Sequence, residues 1–135
     1  MPHADLPHLA GRVFGAPLMM ARAKLDIVLD VLQPRLFGGD LADAGPAAEP
    51  DPYVVTPSGI AVVPVFGTLV NRTFGLSALS GLTSYQRLSA DLARAAADPV
   101  VRGLLLDVDS NGGEAGGVFD LADYGVALRF GKPVF

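Results

Sequence analysis

The chain has 135 residues and no cysteine. Disulfides, thiolate zinc sites and cysteine nucleophiles are therefore excluded, while the redox character of its compartment stays open. Histidine is nearly as scarce: His3 and His8 both stand near the N-terminus, where fraying is expected. Basic residues are also few. Ten Lys and Arg against 14 Asp and Glu give a net charge of -4 and a pI near 4.9. With no basic stripe to meet phosphates, nucleic acid is not an expected partner. No apolar run approaches the ~18 residues of a membrane span, and the N-terminus lacks the basic-then-apolar order of a signal peptide. The reading from these absences is a soluble, intracellular chain.

What is present is enough for about one domain. Half the residues are hydrophobic, which supplies a core, while 16 Gly and 11 Pro imply much loop. In residues 22–33, Leu25, Val28, Leu29 and Leu32 fall at i, i+3, i+4 and i+7, which predicts an amphipathic helix stopped by Pro34. Residues 38–58 are rich in Gly, Pro and acids and read as a linker. From Gly59 onward strands and helices alternate. "GIAVVPVFGTLV" (59–70) predicts a strand, in which Pro64 suggests an edge or a bulge. Thr83 and Gln86 fit a capping box, Tyr85, Leu88 and Leu92 share one helical face, and Asp98-Pro99 ends that helix. "VVRGLLLDV" (100–108) reads as a parallel strand covered on both faces. A second helix is expected from about Gly117 to Phe130, and "PVF" (133–135) begins a further strand. The order β-α-β-α-(β) describes an α/β layer with right-handed crossovers.

That order places "DVDSNGGEAGG" (107–117) after the carboxyl end of a buried parallel strand and before a helix, where open α/β sheets hold their ligands. A phosphate cradle does not fit. Glu114 stands where a second glycine is needed, Val118 follows Gly117 where a Walker loop has lysine, and Asp107, Asp109 and Glu114 repel phosphate. A divalent cation on those three carboxylates is weaker than a plain structural reading, in which Asp109 makes an Asx turn and Glu114 favours the helix dipole. Neither a metal nor a cofactor is expected. An oxyanion hole uses the glycines best. Gly112 and Gly113 would aim backbone N–H groups at a carbonyl becoming negative, and glycine permits both close approach and positive φ. A tight β-to-α turn that merely needs Gly112 and Gly113 for its bend is the alternative.

"SNGGEAGGVFDLAD" (110–123) resembles the Ser-Pro-Gly-Gly segment of the signal peptide peptidase A family of serine peptidases, whose fold is related to Clp protease and the crotonases. "GIAVVPVFGTLV" and "SYQRLSADLARAAADPVVRGLLLDVDS" resemble the same family, and more closely its phage branch, the capsid-assembly (prohead) proteases. "PLMMARAKLDIVLDVLQPRL" (17–36) is similar to the N-terminal helix of that branch. The resemblance implies a Clp protease/crotonase-like parallel β-α-β layer with an N-terminal amphipathic helix. It also implies a serine endopeptidase in which Ser attacks the peptide carbonyl, Lys takes its proton and the Gly-Gly backbone holds the oxyanion. Two departures stand out. Asn111 replaces the usual Pro, which keeps the bend with less rigidity. The family's nucleophilic Ser and general-base Lys fall after the last strand begun here, so no catalytic residue is expected within these 135 residues. Ser110 occupies a turn position of the family, and neither Lys24 nor Lys132 matches its catalytic Lys.

The resulting division is an N-terminal helical segment (1–37), a Pro/Gly-rich linker (38–58) and the front part of a peptidase domain (59–135). The expected function is prophage capsid maturation in the host cytoplasm, on protein substrates such as capsid or scaffold proteins, by a homo-oligomer assembled partly through the 22–33 helix. A noncatalytic remnant or assembly module is the alternative. A crotonase-like acyl-CoA enzyme is a third, disfavoured by the lack of a basic cluster for CoA. Glu114 and Ala115 are expected to pair with substrate as an added strand through free N–H and C=O groups, with Glu114 favouring a basic or neutral neighbour. Gly113→Ala is expected to cut turnover with little effect on folding.

Overall fold

In the computed structural model, residues 11, 15–26, 29, 51–72 and 82–135 are described. The strands are β1 (Leu18–Met20), β2 (Val54–Val55), β3 (Ile60–Phe66), β4 (Thr68–Val70), β5 (Leu82–Ser84), β6 (Gly103–Asp109) and β7 (Gly112–Glu114). The helices are α1 (Tyr85–Ala97) and α2 (Val118–Leu128), and residues 22–26 are also helical. The rest of the helix expected to Gln33, apart from Leu29, lies outside the described residues, as does the linker before Asp51. The architecture is α/β.

Two sheets form, in the orders β2-β3-β6 and β1-β7-β4-β5. The long apolar run 59–70 divides between them: β3 belongs to the first, β4 to the second, and Gly67 is the corner. β3 and β6 are parallel from Ile60↔Gly103 to Phe66↔Asp109, with α1 in the connection. The closing "PVF" docks on the far side of β6. Leu104 N–H donates to Pro133 O at 2.8 Å, and Leu106 N–H to Phe135 O at 2.8 Å. Val54 and Val55, which composition assigns to the linker, pair antiparallel with Val62 and Ala61. Continuing that register would put Pro64 opposite Pro52, beyond the start of β2. Its missing N–H therefore costs no ladder bond, the edge position that a strand proline requires.

Alternation along β3 aims Ala61, Val63 and Val65 at α1, where they meet Leu88, Leu92 and Ala95, with Val101 and Leu104 completing the buried core. Leu121, Tyr124 and Leu128 of α2 pack against the same cluster. The expectation that β6 is covered on both faces fails. Leu104 is fully buried, whereas Leu105, pointing the other way, is 40% exposed, and Asp107 and Asp109 on that same outer face are exposed as well. An all-apolar strand records what its side chains tolerate, not which faces other elements reach.

The start of α1 also shifts. Ser84, not Thr83, is the N-cap: its backbone is extended and its Oγ accepts from Arg87 N–H at 3.1 Å. Thr83 instead donates its hydroxyl to Phe66 O at 2.8 Å, joining β5 to the end of β3. At the other end Asp98 is the C-cap, just before Pro99. Lys132 brings Nζ to the Asp98 carbonyl at 2.6 Å, a cation at the negative end of the helix.

Candidate functional site

The glycine-rich segment is a strand, not a free loop. After β6 ends at Asp109, Ser110 makes the bend: its Oγ accepts from Gly112 N–H at 3.1 Å and donates to Gly67 O at 2.6 Å. The turn that sequence assigns to the Asp109 side chain is thus held by Ser110. Asp109 contributes its carbonyl, which accepts from Gly67 N–H at 2.9 Å. These bonds tie the turn to the corner between the two sheets. β7 then runs through Gly112, Gly113 and Glu114, parallel to β4 at Leu69↔Gly113 and antiparallel to β1 at Met19↔Gly113.

Both glycines are required by this placement. Gly112 has a φ of 96°, and a side chain there would run into the Met19 carbonyl. A Cβ on Gly113 would overlap the Leu69 carbonyl oxygen, with Leu69 C and N close behind. The obstacle is backbone, which cannot swing away. The expectation that Gly113→Ala leaves folding nearly untouched is therefore corrected: the glycine holds two strands together whatever else it does.

The two N–H groups offered for an oxyanion differ. That of Gly112 is engaged by Ser110. That of Gly113 faces β1. Ala115 N–H donates to Pro17 O and Ala21 N–H to Asn111 O, both at 3.1 Å. Hydrogen-bonded pairs alternate along an antiparallel ladder. Met19–Gly113 lies midway between those two pairs, so it is hydrogen-bonded too. The outer edge of β7 thus presents Asn111, Gly113 and Ala115. An N–H expected to be free, that of Ala115, is occupied by the chain itself.

Glu114 turns the other way. It is 8% exposed, its Oε2 accepts from Asn71 N–H at 2.5 Å, and its carbonyl accepts from Tyr85 OH at 2.6 Å. The carboxylate neither rides on the α2 dipole nor offers itself to a substrate side chain. Tyr85, the first residue of α1, shows in the sequence only as part of the face shared with Leu88 and Leu92. Its position directly after the Ser84 cap brings its hydroxyl to β7. Burial, and then the Glu114 charge, raise the Tyr85 phenol above its ordinary value of 10.0. Tyr85→Phe should lower stability by about 1–2 kcal/mol, because the Glu114 carbonyl loses a buried donor. The difference should be constant below pH 10.0 and shrink above it, as the unfolded phenol ionises before the folded one. Urea unfolding of both proteins between pH 7 and 11 measures this.

Asp107 and Asp109 lie exposed at the end of β6, and among the described residues no group of three metal-ligating side chains gathers. Neither Lys24 nor Lys132 forms a hydrogen bond to a serine hydroxyl among the described residues: Lys24 is in the 22–26 helical segment, and Lys132 caps α1. No described helix is long and apolar enough to cross a membrane.

Comparison with known proteins gives two matches across this whole arrangement. The chain is 37% identical to capsid assembly protease C of Escherichia phage lambda and 38% identical to head-tail preconnector protein GP5 of Enterobacteria phage P21, each over 97% of its length. These two phage proteins are its homologues. The chain spans 34% and 30% of their respective lengths. No protein-family model and no solved structure matches it.

Proposed function

We propose that this chain is the front part of a phage capsid-maturation endopeptidase of the signal peptide peptidase A type, with the Clp protease/crotonase-like fold. In this reading 1–37 form an N-terminal segment and 38–58 are expected as a linker, but β2 at Val54–Val55 belongs to the sheet, so the peptidase domain takes in β2 and everything after it. A Ser-Lys dyad outside these 135 residues supplies the nucleophile and base. Gly113 N–H is the oxyanion donor, Gly112 admits the substrate carbonyl, and the edge of β7 through Ala115 binds the peptide main chain. The observation that carries the reading is the paired glycine strand at the carboxyl end of β6, in a chain homologous over 97% of its length to a capsid assembly protease. Main-chain pairing holds the flanks of a scissile bond without regard to side chains, and one N–H aimed at the developing oxyanion lowers the barrier by about 2.7–4 kcal/mol. The substrates would be capsid or scaffold proteins, processed in the host cytoplasm by a homo-oligomer.

The preconnector name of the second homologue favours one other reading, a structural module of the phage particle that uses the same fold without catalysis. Casein or labelled-peptide turnover separates the two. The purified 135-residue chain is expected to show none, and a product extended through the downstream reading frame is expected to show turnover that replacement of its candidate Ser abolishes. Turnover by the short chain would overturn the placement of the dyad, and an inactive extended product would favour the structural module.

A further inference from the structure

We infer that residues 17–21 are a built-in occupant of the peptide-binding edge, and that a substrate strand takes their place in the same antiparallel register. The inference rests on the peptidase reading of that edge. β1 lies along Asn111–Ala115 with its terminal bonds at Ala21–Asn111 and Pro17–Ala115 and the Met19–Gly113 pair between them. The Met19 carbonyl sits where a side chain on Gly112 would be and next to the Gly113 N–H, the place assigned to a substrate carbonyl.

Two observations make β1 removable. It is three residues long, and no residue of 15–26 belongs to the buried core, so it can leave without opening that core. Its side chains also define what replaces it. Leu18 and Met20 are half-buried while Met19 is 50% exposed. The edge therefore takes an extended peptide with apolar residues at alternate positions and little restriction on the residue between them. A short strand over an otherwise unpaired edge also prevents that edge from pairing with other chains.

The test uses Met19→Pro, which removes the amide hydrogen that the central ladder pair needs. Fluorescein-labelled Pro-Leu-Met-Met-Ala is titrated into the wild-type and variant 135-residue chains by anisotropy, with amide exchange followed by NMR. The variant should bind the peptide at least tenfold more tightly, and the peptide should protect the Gly113 and Ala115 amides. Equal affinity for both chains, or binding that leaves those amides exchanging freely, would overturn the inference. If the proline variant does not fold, Leu18→Asp makes the same test with the ladder amides intact, since it places a charge at a half-buried position. The extended product keeps the two ideas apart. Peptide exchange without turnover would remove the peptidase reading and leave displacement standing. Turnover that is indifferent to Met19→Pro would leave the peptidase and remove displacement.

Discussion

Gly113→Ala is expected to destabilise the protein by on the order of 3 kcal/mol, near the upper end of overpacking costs. The added methyl meets the carbonyl oxygen of Leu69, and both atoms belong to backbone in paired strands. Relief requires β7 to move off β4, which would stretch the Tyr85–Glu114 and Asn71–Glu114 bonds that hold β7 on its β4 side. A fall in melting temperature of roughly 10 °C follows for a domain of this size, read by circular dichroism on the 135-residue chain without any activity assay. A variant that melts like the parent would mean that β7 and β4 are further apart than described. In the extended product the same substitution should remove turnover, but that loss alone would not identify an oxyanion donor, because the strand carrying the donor is itself displaced. The cleaner probe of the N–H is an amide-to-ester replacement at Gly113, which deletes the hydrogen and adds no atom.

The alternation of strand and helix after Gly59 was legible because each signal is local. Leu88 and Leu92 repeat at helical spacing, Asp98-Pro99 stops the helix, and Leu104–Leu106 form an apolar run that β6 contains. The position of the glycine pair after β6 was legible for the same reason. Its conformation was not. Gly112-Gly113-Glu114 has no intrinsic strand preference, and it is extended because β4 and β1 grip it from positions far away in sequence. β1 was hidden likewise, since Leu18-Met19-Met20 is too short to show an alternation and pairs with partners more than 90 residues away. Ser84 and Thr83 are both good cap residues. Choosing between them depended on knowing that Phe66 O would claim the threonine hydroxyl. The role of Glu114 was hidden for a related reason: its distance from the helix start fits a dipole role, while the inward direction of its carboxylate follows from the strand pairing that brings Asn71 to it.

Leu104→Ala is expected to cost about 3 kcal/mol, and Leu105→Ala, one residue along the same strand, less than about 1 kcal/mol. Leu104 is fully buried and sits in the cluster with Ala61, Val63, Leu92 and Ala95, while its own N–H and C=O hold Pro133 and Phe135. Truncating it opens a cavity between strand and helix in a region clamped on both edges, so little collapse can fill it. Leu105 faces away and is 40% exposed, so its methyl groups give up little burial when removed. Guanidinium unfolding of the two variants measures the difference directly, and equal losses would mean that both faces of β6 are covered in the 135-residue chain. The pair also reports on context. Should a longer product or an assembly cover the outer face, Leu105→Ala would become costly there while Leu104→Ala stayed the same. The ratio of the two losses therefore registers whether a second layer has been laid over Leu105, independently of any measurement of mass or activity.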